Sequence, residues 1–180
     1  MRGEDKLLQV VNGRPLLHVV AERATRASAH VAVTLRADDA ARARVLTGLP
    51  VTRLTILDAA EGMAASLRKG AAWAVTLPVR ALMVALPDMP DITADDMRAL
   101  IIAQAARPSQ PLRAATVEHV AGHPTILPMA LMPALQRLSG DTGARALLQK
   151  HPPRLHKLQG KRALTDLDTP EDWAAWRARR

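Results

Sequence analysis

The sequence predicts an α/β domain, a parallel or mixed sheet with helices on both faces, and three observations predict it. Short apolar, strand-like runs alternate with helix-length amphipathic segments along the 180 residues. The run RALMVAL (80–86) is apolar almost throughout, as suits a central strand covered on both faces. Hydrophobic residues make up 48%, enough for a core at this length; with no Phe or Tyr and three Trp, that core is built mostly from Ala, Val, Leu and Met.

The elements follow in order. Residues 15–28 read as a helix whose apolar face is Leu16, Leu17, Val19, Val20 and Ala24. HVAVTL (30–35) is a short strand, and Asp38 or Asp39 opens a helix that reaches about Thr47, where Gly48 and Pro50 stop it. RLTIL (53–57) is a second strand, and residues 62–77 form a helix closed by Pro78. After the strand at 80–86, Thr93 caps a helix over 94–106. Residues 113–118 are a weaker strand, 129–138 and 143–150 short helices, and 155–158 and 163–167 candidate strands. Thr169-Pro170 starts a terminal helix. No repeat or linker divides the chain, so a single domain over 1–180 is expected.

Charge and composition narrow the function. Without cysteine there is no disulfide framework, thiolate metal site or cysteine nucleophile. No apolar run reaches the ~18–20 residues that cross a bilayer, and no signal peptide opens the chain. A cytoplasmic protein with no membrane partner is expected. The net charge of +8, with twenty arginines, favours anionic partners. Nucleic acid is not expected among them, because no dense basic block is interleaved with aromatics.

Six motifs could carry chemistry, and each has a plainer reading beside it. In ALPDMP (85–90), Asp88 follows the most apolar strand in a Pro-bracketed turn; it suits a hard cation such as Mg²⁺, or is a turn aspartate bonding its own backbone. In DLDTPED (166–172), Thr169, Pro170, Glu171 and Asp172 are accounted for as a helix start. Asp166 and Asp168 alternate at a strand end and so share a face, calling for a cation or for solvent. In GDTGARALL (140–148), Asp141 and Arg145 make either an anion site at a helix start or a cap with a surface arginine. In AGHPTILP (121–128), Gly122 and Pro124 hold His123 in a turn; a lone histidine there is more often structural than catalytic, and zinc is improbable. In EGMAASLRKG (61–70), Gly62 and Ser66 fall on the first turns of a helix. In GEDK (3–6), Lys6 is a compact cation able to reach a phosphate, or a solvated lysine near the start.

Taken together and in this order, GxxK, GMxxS, Asp-Met-Pro after a buried strand, GHP, GDxGAR and DxDTPED resemble the molybdenum cofactor nucleotidyltransferases. The pair GHP and GDxGAR is similar to the cytidylyltransferase branch. The resemblance covers essentially the whole chain. It implies a three-layer α/β sandwich with a mostly parallel sheet, of the nucleotide-diphospho-sugar transferase or glycosyltransferase-A type.

The same resemblance implies an enzyme that transfers CMP, or GMP, from CTP or GTP to the phosphate of the molybdopterin cofactor, with Mg²⁺ and release of pyrophosphate. Lys6 and Asp88 would be catalytic, and Asp88 and Asp168 the metal ligands. Gly3, Lys6, Gly62, Ser66 and Asp88 would lie at the nucleotide, and His123, Asp141 and Arg145 toward the acceptor. A molybdoenzyme or its maturation chaperone would be a partner. Two alternatives are a same-fold enzyme with a sugar or isoprenoid phosphate acceptor and a non-catalytic accessory protein for the cofactor. Family members begin with a strand and a loop LAAGxSxRM before GxxK, and Met1 lines up inside that loop. The resemblance therefore implies that this sequence lacks the first strand and most of the triphosphate loop, either because the start was set too far downstream, the favoured expectation, or because the chain is truly truncated. Pro87 stands where the family has a small residue; lacking an N–H, it removes any contact by that amide.

Overall fold

The structure is a computed structural model that describes residues 5–57, 62–140 and 143–179. Asp5 opens a single 3₁₀ turn, Lys6–Leu8, by accepting the Leu7 N–H at 3.0 Å. A two-residue hairpin follows, β1 (Val10–Val11) against β2 (Arg14–Pro15). Its turn is Asn12-Gly13, both at positive φ, the pair of conformations that a twisted hairpin requires. Then come α1 (Leu16–Ala27), β3 (Ala32–Arg36), α2 (Ala40–Val45), β4 (Thr52–Ile56), α3 (Gly62–Ala74) and β5 (Ala81–Val84). The second half runs α4 (Ala94–Ala105), β6 (Leu112–Ala115), β7 (Ala121–Pro128), α5 (Met132–Leu135), α6 (Arg145–Lys150), β8 (Arg154–Lys157) and α7 (Pro170–Ala178).

Strands β3 and β4 pair in parallel, with Ala32 opposite Thr52 and Arg36 opposite Ile56. The remaining long strands form a four-stranded sheet in the order β5-β7-β6-β8. There β7 is antiparallel to both β5 and β6, while β6 and β8 are parallel. The four-stranded sheet is therefore mixed, and the expectation of a mostly parallel sheet is corrected. The reason lies in β7, whose sequence AGHPTILP reads as a turn around His123. It is instead an eight-residue strand, returning from β6 through the tight turn at 116–120, where His119 takes a φ of 67°. A return that short can only be antiparallel. The expected strand over 163–167 is also absent, replaced by turns and irregular chain.

Helices cover both faces as expected. On one side, Leu16, Leu17, Val20 and Ala21 of α1 pack with Leu35, Leu46, Trp173 and Trp176. The last turn of α1, through Ala24 and Ala27, reaches the cluster built on Met97, Leu100, Leu112 and Ile126. On the other side, Ala71 and Ala74 of α3 pack with Leu127, Met132 and Leu135, and with Leu82 and Val84 of β5. The strand β5, read from sequence as covered on every side, is half-buried at all four residues. Its only strand partner among the described residues is β7, and β3 likewise pairs only with β4.

The terminal helix is fastened at its start by a capping box. Thr169 Oγ1 accepts the Asp172 N–H at 3.1 Å, and Asp172 Oδ2 accepts the Thr169 N–H at 2.8 Å. Trp173 and Trp176, edge to face at 6.0 Å, carry the helix into the first cluster, and Trp176 Nε1 donates to Asp91 at 2.8 Å. Thr169→Ala removes the cap acceptor and is expected to cost about 1 kcal/mol, read as a fall in melting temperature of roughly 2–4 °C.

Candidate active site

Three side chains far apart in sequence meet at the carboxyl end of β5. Lys6 Nζ lies 2.6 Å from Asp88 Oδ2 and 2.5 Å from Asp168 Oδ1. Each is positioned by its own local structure. Residue 5 is held by Arg42, whose Nε and Nη2 grip the two Asp5 oxygens at 2.7 and 3.0 Å. The Asp88 turn is fixed by the buried Met89 and Pro90 and by Arg23, which donates to the carbonyls of Pro90 and Ile92. Asp168 is brought alongside because the Leu167 N–H donates to the Asp88 carbonyl at 3.1 Å and the Leu167 side chain is buried. Burial pulls the Lys6 ammonium down, and the bonds to Asp168 and Asp88 outweigh it, so its pKa stands above the ordinary lysine value and the group stays charged.

The pair of carboxylates fits a hard divalent ion. Asp88 Oδ1 is buried without a hydrogen-bond partner, while the Asp168 side chain is 61% exposed. A free carboxylate oxygen beside a solvent-facing carboxylate suits an ion that keeps waters and takes phosphate oxygens. No group of three or more His, Cys, Asp or Glu converges among the described residues. Two protein ligands are the usual protein share for such an ion when a substrate supplies the rest.

His123 stands next to this cluster. The backbone of Val84, the last residue of β5, and the Asp88 charge both lie within electrostatic reach of its ring. Burial and then the Arg113 charge hold its pKa below the ordinary value against the opposing pull of Val84 and Asp88, so the imidazole is neutral at pH 7.

A family model described as the MobA-like NTP transferase domain matches residues 1–156. The chain belongs to that family. No curated protein matches the sequence. Among solved structures, Rv0371c from Mycobacterium tuberculosis superposes with a TM-score of 0.81 at 24% identity, covering 97% of this chain and 89% of that one. The same mycobacterial protein in complex with manganese gives 0.78, again at 24% identity, covering 94% of this chain and 89% of that one. Molybdopterin-guanine dinucleotide biosynthesis protein A from Archaeoglobus fulgidus gives 0.67 at 14% identity, covering 97% of this chain and 89% of that one. At these identities the likeness establishes the nucleotidyltransferase fold.

Within this MobA-like NTP transferase domain the candidate residues divide into three sets. Lys6, Asp88, Asp168 and His123 come together as described. Gly62 opens α3 at a φ of 60°, and Ser66 lies a turn further on, half-buried. Arg145 opens α6 and is exposed, with no ion pair to another described residue. Gly143, at a φ of 54°, lies just before α6 and near Met63 of α3. Gly3 and Asp141 fall outside the described residues. The helix α6 begins at Arg145, not 143, with Ala144 at its N-cap, while the expected cap residue, Asp141, lies outside the described residues. Asp166 and Asp168 flank the buried Leu167 and are both exposed, yet on irregular chain, and only Asp168 reaches Lys6.

Arg42, Arg23, Arg113 and Thr125 were not among the sequence candidates. The first two bind carboxylate and carbonyls of distant loops, which no local pattern announces. Arg113 and Thr125 become visible only once β7 is known to be a strand paired with β6. Among the described residues no helix is long and apolar enough to cross a membrane.

Proposed function

We propose that this MobA-like domain moves a nucleotidyl group from CTP, or GTP, to the phosphate of the molybdopterin cofactor and releases pyrophosphate. The observation that carries this reading is the Lys6 ammonium held between Asp88 and Asp168 at the carboxyl end of β5. In sheets of this kind ligands bind beyond the strand ends. The name of the Archaeoglobus neighbour supports a molybdopterin acceptor, and the manganese complex of the mycobacterial one supports a divalent ion.

The chemistry explains a site without an obvious base. A phosphate monoester has a second pKa near ~6, so the acceptor is already a dianion at pH 7. One of its oxygens bonds to the α-phosphorus, the bond from that phosphorus to the bridging oxygen of the β-phosphate breaks, and the electron pair leaves with pyrophosphate. Catalysis then rests on alignment and on neutralising charge. Asp88 and Asp168 would hold Mg²⁺, which supplies Lewis-acid neutralisation of phosphate charge when bound. Lys6 keeps its proton and stabilises charge on the α-phosphate. Gly62 and Ser66 would serve the nucleotide, and His123, Asp141 and Arg145 would serve the acceptor. The reaction belongs in the cytoplasm, with a molybdoenzyme or its maturation chaperone receiving the product.

The test is pyrophosphate release from CTP or GTP with magnesium, with molybdopterin, a sugar phosphate or an isoprenoid phosphate as acceptor. Release that depends on molybdopterin, with formation of the dinucleotide cofactor, is the expected result. Release driven only by another acceptor, or nucleotide binding without turnover, would replace this reading.

A further inference from the structure

Three neighbouring polar groups on β6 and β7 are left with bonding capacity that the fold does not use. Arg113 on β6 lies directly opposite Thr125 on β7. His123 directly follows Gly122, whose carbonyl accepts from Arg113, so the guanidinium lies beside the His123 backbone where the β6–β7 register shifts. Thr125 is 3% exposed, and its Oγ1 has no hydrogen-bond partner. His123 Nδ1 is also buried without one. Arg113 is half-buried, and its Nε donates to the Gly122 carbonyl at 3.0 Å. No carboxylate pairs with it among the described residues, and burial lowers its pKa.

A guanidinium drawn out of water without a carboxylate is costly unless something anionic uses it. Its remaining donors form a fork that matches a phosphate. The charge balance nearby points the same way. Lys6 brings one positive charge to two carboxylates, so the cluster by itself repels an incoming dianion. Arg113 supplies positive charge beyond His123, which stands within electrostatic reach of both Arg113 and Asp88.

We infer that Arg113, with His123 and Thr125 beside it, is the seat for the phosphate monoester of the acceptor. This rests on the nucleotidyltransferase reading, and it adds the residue that holds the attacking group. Lys6 and the carboxylates act on the triphosphate, Arg113 on the acceptor.

Two readouts test it on the full chain, using Arg113→Met, Arg113→Gln and Arg113→Lys. Gln keeps a donor for the Gly122 carbonyl and replaces Met as the neutral variant if Met does not fold. In the first, inorganic phosphate is titrated into protein with ¹³C-labelled histidine, and the His123 ring signal is assigned with His123→Gln. A saturable shift is expected in the wild type, in Arg113→Lys and in Lys6→Ala, and at least about tenfold weaker binding in the neutral variant, since it loses a charge-assisted contact. An unchanged titration in the neutral variant, or loss of the shift in Lys6→Ala, overturns the assignment. In the second, the neutral variant is expected to raise KM for molybdopterin about 10- to 100-fold and leave KM for the nucleotide in place. Equal losses for both substrates, or none, overturn it. Absence of transfer by the wild type with every acceptor would remove the enzymatic reading, while the phosphate titration still reports on the seat.

Discussion

Asp88→Ala is expected to abolish nucleotidyl transfer with either nucleotide while the protein stays folded. The carboxylate bonds Lys6 with one oxygen and leaves the other buried and free. Losing a metal ligand removes several kcal/mol of transition-state stabilisation, and about 4 kcal/mol is already about a thousandfold in rate. The fold is spared because what ties 167 to this loop is the Asp88 backbone carbonyl, which alanine keeps. Single-turnover kinetics beside a thermal melt separates the two effects. Unchanged turnover would make Asp88 a turn residue and nothing more. Asp88→Asn keeps an acceptor for Lys6 but not the charge, and is expected to fall nearly as far in rate.

Gly122→Ala is expected to be the most damaging single methyl in the molecule. A Cβ at that position would lie 1.8 Å from the Ala163 carbonyl oxygen and 2.7 Å from its carbon, both backbone atoms. The adjacent His123 N–H donates to the same oxygen at 2.9 Å, so the two segments cannot part without losing that bond. Overpacking against backbone costs about 3 kcal/mol or more here, a fall in melting temperature of roughly 6–12 °C or greater. A variant melting within about 2 °C of the wild type would show that the segments slide apart cheaply. Because β7 also carries His123, a shifted but folded variant is expected to move the His123 ring signal.

The parts of the fold written in local chemistry were legible. Thr93 and Thr169 announce their helices, and both form full capping boxes with Asp96 and Asp172. Asp88 is legible because an apolar strand runs straight into a Pro-bracketed turn. The pattern around β7 misled, since Gly-His-Pro carries the residues of a turn although the segment is a strand. The glycine serves close approach to Ala163, and the proline is fully buried. Strand direction follows from which strands hairpin together, so the mixed sheet was hidden with β7. Asp168 was legible only through the resemblance, as its strand reading was wrong and its place is set by one backbone bond from Leu167. Arg113 carried no sequence signal, for an arginine in a strand looks the same whether it faces solvent or a substrate.

The bond from Lys6 to Asp168 joins positions 162 apart in the chain. During synthesis Lys6 emerges early and waits for nearly the whole domain before its second carboxylate exists. Closing so long a loop is entropically slow, and the docking of Trp173 and Trp176 against Leu16 and Leu17 is what holds it closed. The Lys6–Asp168 contact is thus among the last features completed and the first dismantled when the terminal helix lifts. A triphosphate with its metal, bound only to the closed form, would stabilise the molecule against global unfolding by mass action. The same ligands would shield the terminal helix from proteases as effectively as they shield the strand ends they touch.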